Sequence, residues 1–453
     1  MTELVAAERG FSFAEPYAIG ALFCGVAVLA AIGALSHQHE RAFSASLIYL
    51  GLGVASAVVI QLLGVGWLDP ISDAELLQRV SEAAIVIALF ATGLKLDRPL
   101  TWRSWSGVGR LLIIAMPLTI AAVALFGSGV MGLSLGAALV LGAILAPTDP
   151  VLAGDVGVGP PGDEDEREPN FSLTGEAGLN DGLAFPFLFL GLFVAKEGGS
   201  SWLGTWLVAD VLYAVVVGIA IGIAGGYLLG AAAVELRKRD LLAEQLDPWM
   251  AIPAVLLVYG AAEISGAYGF LAAFAGGVGF RHYEHGHAYN RRVHDGAETV
   301  EKFGELAVIL LIGSMIGTSV LTAPDLEGWL LVAVLLLVIR PLAVAASLVG
   351  SGLPAAERAF VAWFGVRGVG SLYYAAVAVV AGVLPPAETE IIVWTAIACV
   401  MASIVVHGLS ATPVSRRMGA AQERAIRQQE SSARTPDGDQ GPAVPSPARD
   451  TRG

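Results

Sequence analysis

Residues 135–151 read "LGAALVLGAILAPTDPV", an aliphatic run that ends in Thr148 and Asp149 bracketed by Pro147 and Pro150. Proline lacks a backbone donor and its ring clashes with the preceding turn, so two prolines this close unwind a helix locally. The freed carbonyls, the Thr148 hydroxyl and the Asp149 carboxylate together offer hard oxygen ligands. Broken backbone inside a bilayer survives only where it is buried in protein or lines a wet cavity. Acids at such depth are costly and mark ion pathways. The plainer alternative is an Asp149 at the membrane edge of an ordinary helix that happens to contain Pro and Gly.

The rest of the chain supplies the bilayer. It has 453 residues, 55% of them hydrophobic and 15% charged, where soluble domains carry roughly a quarter charged. Apolar segments lie at 17–35, 45–63, 78–94, 107–126, 133–157, 172–195, 204–232, 249–265, 267–281, 303–318, 328–350, 357–382 and 389–413. That is about thirteen spans of membrane-crossing helix length. They are too long and too uniformly apolar for barrel strands, which alternate in polarity over about 10 residues. The expected fold is therefore an all-α polytopic membrane protein. Glu3, Glu8 and Glu15 precede the first span, with Arg9 the one basic residue, which does not read as a cleaved signal. Cys24 and Cys399 fall in apolar spans and read as packing. The net charge of -14 argues against a nucleic-acid partner. Beyond 413, "SRRMGAAQERAIRQQE" suggests a short amphipathic helix, and "SSARTPDGDQGPAVPSPARDTRG" a disordered tail.

Alternate loops carry the basic residues: Arg41; Lys95, Arg98 and Arg103; Arg167; Arg237, Lys238 and Arg239; Arg281, Arg291 and Arg292; Arg358; Arg416 and Arg417. The positive-inside rule makes that side cytoplasmic, with the amino terminus outside and the carboxyl terminus inside. An odd number of spans follows. Two six-span halves joined by a linking span then enter the membrane from opposite sides, as inverted repeats. Such repeats place a site at the midplane, where two helices are broken. Spans five and six should correspond to twelve and thirteen. Span twelve contains "FGVRGVGSL" (364–372), with Gly365, Gly368 and Gly370 around Arg367 and Ser371 one turn later. The expected breaks are thus in spans five and twelve.

Counting along the helices from residues 357 and 172 puts Arg367 and Asp181 both about 15 Å deep. That suggests pairing or charge compensation, unless Arg367 snorkels to a surface. In "GEAGLNDGLAFP" (175–186), Glu176 and Asn180 are four apart and share a face, while Asp181 is turned about 100° away. One carboxylate can then be held by Arg367 while the other titrates. Burial favours the protonated form of an unpaired carboxylate. Such a group takes a proton or a small monovalent cation, but not both. The structural alternative is that these acids are polar glue between helices. No cofactor is called for; the Gly-rich residues near 155–159 lack the strand–helix unit of a nucleotide loop.

"APTDPV" (146–151), "GEAGLNDG" (175–182) and "FGVRGVGSL", in this order and in these spans, resemble the hallmark motifs of the monovalent cation:proton antiporter-1 family, the sodium/proton exchangers. The likeness covers residues 15 to 413. It implies a homodimer in the cell membrane that exchanges Na+ (or K+ or Li+) for H+. It also implies a dimerisation scaffold and a mobile six-helix core. On that plan 1–104 and 249–326 are scaffold, 105–197 and 327–415 are core, 198–248 links them and 416–453 is a cytoplasmic tail. The resemblance implies that Asp181 carries cation and proton, with Thr148 and Asp149 beside it in the unwound helix. Asn180 stands where electrogenic relatives have a second Asp, which implies one-for-one electroneutral exchange. Glu176 and Arg367 match the family's stabilising ion pair. Two positions depart from the pattern. Ala177 replaces a Ser used near the ion by some relatives, and Ala91 and Thr92 stand where many have an acid in the third span.

Among weaker features, Arg340 beside Pro341 is expected to brace the core through helix carbonyls, and Ser371 is an accessory candidate. Glu305 is expected at the interface. The acidic loop 162–168 and the stretch with His282, His285, His287 and His294 are expected to be solvated, although the histidines could sense pH. Two rival functions remain open. One is an intramembrane aspartyl protease with Asp149 and Asp181 as its dyad, against which the usual Gly-x-Gly-Asp pattern is missing. The other is an organic-anion carrier whose Arg367 meets the substrate.

Overall fold

The computed structural model describes residues 16–36, 44–62, 68–150, 152, 157–158, 167–197, 199–284, 291–316 and 324–433. Regular structure among them is entirely helical. Helix α1 is Pro16–Ser36, α2 Ala45–Leu62, α3 Ala74–Lys95, α4 Ser106–Gly129, α5 Leu135–Leu145, α6 Glu168–Lys196 and α7 Leu203–Lys238. Then follow α8 Ala251–Ile264, α9 Gly269–Glu284, α10 Arg291–Met315, α11 Leu326–Ser347, α12 Ala355–Trp363, α13 Val369–Ala381 and α14 Pro386–Ala433. Seven of the described helices are long and apolar enough to cross a membrane, and each expected span contains helix in at least part of its length.

The interruptions fall where the breakers are. Helix α5 stops at Leu145 and residues 147–149 have no regular structure. The twelfth expected span is two helices, α12 and α13, separated by residues 364–368, which have no regular structure. The amphipathic segment expected after 413 is no separate element: α14 runs through Pro413 without interruption to Ala433. Glu3, Glu8, Arg9 and Glu15, residues 161–166, His285, His287 and residues 434–453 lie outside the described residues.

The repeat expected from the breaks is also visible one span earlier. Residues 111–118 read "LLIIAMPL" and residues 335–342 read "LLLVIRPL". Both stretches contain a π-helical turn, Leu111–Ala115 in α4 and Leu335–Ile339 in α11. In each, a proline follows two residues later. Proline would clash with the carbonyl four residues back, and a widened turn relieves that clash. The two stretches differ most at one position, Met116 in the first and Arg340 in the second.

Close helix contact is made by glycine. Gly218, Gly222, Gly226 and Gly230 form one buried stripe of α7 that lies against α9. A Cβ at Gly226 would stand 1.9 Å from the Gly276 carbonyl oxygen, and one at Gly222 2.6 Å from that of Ala272. Without a hydrophobic drive between helices in lipid, such small-residue contacts supply the packing. Helix α3 meets α9 in the same way, with a Cβ at Gly93 2.3 Å from the Phe274 carbonyl. Helices α5 and α6 meet where a Cβ at Gly136 would stand 2.6 Å from that of Ala195.

Gly226→Leu should therefore push α7 off α9. We expect a loss of about 1–3 kcal/mol, typical of overpacking, read as a lower melting temperature in detergent. Gly51→Ala, where an added Cβ meets nothing within 4 Å, should leave the melting temperature unchanged or raise it.

Candidate functional site

The two breaks cross, and each supplies what the other lacks. The Asp149 N–H donates to the Val366 carbonyl at 2.8 Å, joining break to break through backbone. The Asp149 carboxylate accepts from the N–H of Leu152 at 3.0 Å and from that of Val369 at 2.7 Å. Val369 is the first residue of α13, so an acid from one break caps the helix that begins at the other. Orphan N–H groups and the helix dipole favour negative charge there. Arg367 reciprocates. Its Nε donates to the carbonyl of Leu145, the last residue of α5, at 2.7 Å, and its guanidinium also donates to the Gly365 carbonyl. Cations are favoured at a helix carboxyl end for the same reason.

Glycine makes the crossing possible. A Cβ at Gly368 would stand 2.0 Å from Asp149 Oδ2, and one at Gly370 2.3 Å from Asp181 Oδ1. No larger residue fits at either position without displacing a carboxylate.

Asp181 is held differently from its neighbours. Its side chain is buried, and among the described residues its Oδ1 has no hydrogen-bond partner. Tyr374 donates its hydroxyl to the Asp181 backbone carbonyl, not to the carboxylate. Asn180 Nδ2 donates to Thr148 Oγ1 at 2.7 Å, tying α6 to the first break. Asn180 Oδ1 and Ser371 Oγ are likewise buried and unpartnered. Buried polar atoms without partners are costly, and a proton or a cation relieves that cost. Asp149 and Asp181 line one cleft together with Ala84, Ala88, Glu301 and Glu305.

The cleft lies toward one end of the molecule. Glu301 and Glu305 flank the middle of α10, and Lys95, at the end of α3, reaches Glu301 at 3.5 Å. At that end Arg281 also pairs with Asp97 at 2.5 Å, and Arg98 with Glu168. Beyond Asp181 along α6 the path is filled with rings. Phe185 stacks on Tyr268 at 4.9 Å and meets Tyr374 edge-on at 5.1 Å, and Phe270 lies 4.9 Å from Tyr373. The cleft thus adjoins the Lys95–Glu301 pair on one side, and aromatic rings pack beyond Asp181 on the other.

Three expectations change. Glu176 was expected opposite Arg367. It is held instead by Arg340, in a buried bidentate pair at 2.5 and 2.7 Å. Arg340 adjoins the widened turn of α11 and its planar fork matches a carboxylate, whereas the Arg367 side chain is taken by carbonyls that the breaks expose. Arg340 therefore does not brace helix carbonyls. Glu305 is buried, lines the cleft and accepts from Ser46 Oγ at 2.5 Å, so it is not interfacial. His294 is buried on α10, ahead of the spanning part, not in a solvated loop. Burial and the charge of Lys95 push it down to about 4, so it stays neutral across physiological pH. Ser46, Lys95 and Glu301 were not foreseen; the one available signal was the four-residue spacing of Glu301 and Glu305 on an amphipathic helix.

Arg340→Ala should cost about 3–5 kcal/mol, because it leaves the Glu176 charge buried alone. Glu176→Gln combined with Arg340→Ala should recover much of that loss. Thermal unfolding of the four proteins of this cycle gives the coupling; additive effects would show that the two side chains do not act as a pair.

Comparison with known proteins agrees with this architecture. The family model described as "Sodium/hydrogen exchanger, transmembrane" matches residues 26–417. The K(+)/H(+) antiporter NhaP of Alkalimonas amylolytica is 28% identical over 344 residues, 74% of this chain and 57% of that protein. The Na(+)/H(+) antiporter 2 of Zygosaccharomyces rouxii is 26% identical over 347 residues, 72% of this chain and 42% of that protein. The chain thus spans about half the length of the curated relatives it matches. Its fold is similar to that of the sodium proton antiporter MjNhaP1 from Methanocaldococcus jannaschii at pH 8. The TM-score is 0.67 and the identity 19%, over 88% of this chain and 96% of that one. With a family match across most of its length, crossed helix breaks and a buried unpartnered carboxylate, the chain belongs to the sodium/hydrogen exchanger family.

Proposed function

We propose that the protein is a secondary active antiporter that exchanges one monovalent cation for one proton at Asp181. Na+ is the first candidate, with K+ and Li+ as the others. The observation that carries this reading is the contrast among the buried acids. Glu176 is neutralised by Arg340, Asp149 is occupied by two backbone donors, and Asp181 keeps an oxygen with no partner.

Charge explains the stoichiometry. Three buried carboxylates in the crossing region, Asp149, Glu176 and Asp181, face two guanidiniums, Arg340 and Arg367. The deficit is one positive charge. One proton or one monovalent cation makes it good, and neither leaves room for the other. A loaded site is neutral and can pass the aromatic seal; an empty, charged site cannot without a large desolvation cost. Competition for one carboxylate therefore couples the two gradients and suppresses leak. Thr148, Asn180 and Ser371 supply hard oxygens near Asp181 that suit an alkali cation, and Asp149 shapes the field around it.

Helices α4 to α6 and α11 to α14 act as the moving core, corresponding to 105–197 and 327–415. Residues 1–104 and 249–326 stay as the dimerisation scaffold, 198–248 links the two, and 416–453 trails in the cytoplasm. Only 17% of the most apolar window of α7 is buried, leaving a broad face for lipid or a second copy of the chain in a homodimer. The basic-loop end faces the cytoplasm of a cell membrane, with the amino terminus outside, so the described cleft is inward-facing. The protein catalyses no covalent chemistry. A protease dyad is disfavoured because both Asp149 oxygens already accept backbone N–H groups. An anion carrier is disfavoured because Arg367 is turned to carbonyls.

In proteoliposomes carrying a trapped pH dye, imposed Na+, K+ or Li+ gradients should move protons with rates independent of an applied voltage. Asp181→Asn should reduce the signal to that of protein-free vesicles. Exchange at the unaltered rate in this variant would end the proposal, and a voltage-driven rate would end the one-for-one stoichiometry.

A further inference from the structure

Residues 402–410 of the last span read "ASIVVHGLS". Ser403, His407 and Ser410 are spaced at i, i+4 and i+7, so they share one face of α14. Ser403 and His407 are buried, and the exchange reaction as derived above uses none of the three. All three turn to the second break and the helix end before it. The Arg367 N–H donates to Ser403 Oγ at 2.7 Å. His407 has its Nδ1 3.1 Å from Ser403 Oγ and its Nε2 3.0 Å from the carbonyl of Trp363, the last residue of α12. Trp363 Nε1 in turn donates to Ser410 Oγ at 3.0 Å. A carbonyl only accepts, so the hydrogen of the neutral ring is on Nε2. Nδ1 then accepts from the Ser403 hydroxyl, whose oxygen takes the Arg367 amide. The Ser403 carbonyl, also 3.0 Å from Nδ1, has no hydrogen to offer it.

We infer that Ser403 and His407 are positioning residues for the exchange, a polar staple on α14 that holds the second break, and through it the carboxylates of the site, in register. Backbone inside a membrane needs a partner for each N–H and C=O. Within the break, the Gly365 N–H closes a tight turn onto the Trp363 carbonyl at 2.9 Å, and the Val366 carbonyl accepts from the Asp149 N–H. The Arg367 and Val369 amides are taken by side chains instead, those of Ser403 and Asp149. Packing alone does not fix the break on the α14 side, where Phe364, Val366, Ile404 and His407 border a small cavity. Ser403 therefore fixes the main chain of the residue whose side chain caps α5. Two residues on, the Val369 N–H donates to Asp149. At the next position a Cβ on Gly370 would stand 2.3 Å from Asp181 Oδ1. A shift of the break thus moves the surroundings of both carboxylates. His407 acts one step further back: it orients the Ser403 hydroxyl and ties it to the end of α12, so one helix grips the break at 363 and at 367. This inference rests on the antiport reading.

The test is the cation dependence of exchange in proteoliposomes at fixed pH, with Na+, K+ and Li+ each as the driving ion. Ser403→Ala removes the acceptor for the Arg367 amide. We expect its apparent KM for the cation to rise about fivefold, the worth of one net hydrogen bond, with the maximal rate changed less than about threefold. Ser403→Thr keeps the hydroxyl and should restore the affinity. At 407, Gln presents an amide group where Nε2 lies, and Asn presents a carbonyl oxygen where Nδ1 lies. His407→Asn should therefore recover most of the affinity that His407→Gln loses, and adding His407→Gln to Ser403→Ala should cost nothing further. A staple that served folding alone would lower the amount of folded protein, and with it the maximal rate, at unchanged KM. A Ser403→Ala KM within about twofold of the unaltered protein, or equal KM values for the two His407 variants, would overturn the assignment. Should Ser403→Ala fail to reconstitute, the two His407 variants decide. The unaltered protein and Asp181→Asn, run in parallel, keep the two readings apart. No exchange by the former, or full exchange by the latter, removes the antiport premise, whereas an unmoved KM beside normal controls removes only the staple.

Discussion

The crossing of two interrupted helices is the contact on which the molecule depends. Each interruption exposes backbone groups that lipid cannot solvate. Asp149 answers the amide end of α13, and Arg367 answers the carbonyl end of α5. Each is matched by a helix terminus, and the breaks are held by a reciprocal exchange of caps. This is why glycine is required at 368 and 370, where carboxylate oxygens come too near for any Cβ.

Once the crossing is satisfied internally, the other charges fall into order. The Glu176–Arg340 pair closes upon itself between α6 and α11, leaving Asp181 as the acid with an open valence for a ligand. The same arrangement separates structure from chemistry. Residues that hold the breaks are locked by backbone, whereas Asp181, at which we propose that ions exchange, is tied among the described residues through its own carbonyl, by Tyr374. Asp181 thus sits between a cleft shared with α3 and α10 and a cluster of packed rings.

Much of this was legible in the sequence, because proline and glycine act locally. Pro147, Pro150 and the glycines around Arg367 announced both breaks, and the long apolar runs announced the helices between them. The depth of Asp181 and Arg367 was also readable, since rise per residue is constant. What could not be read was direction around the helix axis. Arg367 and Arg340 lie at comparable places in their spans, and which of them faces Glu176 depends on a widened turn that changes the phase of α11. Glu305 was misjudged for a related reason. Its position near the end of a span says nothing about whether a neighbouring helix covers it, and here α2 does.

The matching π-turns and prolines of α4 and α11 carry a thermodynamic implication. On the antiport proposed above, two halves built on one template can trade shapes, so that what one adopts now the other adopts after the proposed movement of the core. Facing one compartment or the other then differs little in intrinsic free energy. Such a protein has no built-in arrow. The sign of net flux is left to the electrochemical conditions on either side, and the same molecule would run in reverse whenever those conditions are inverted.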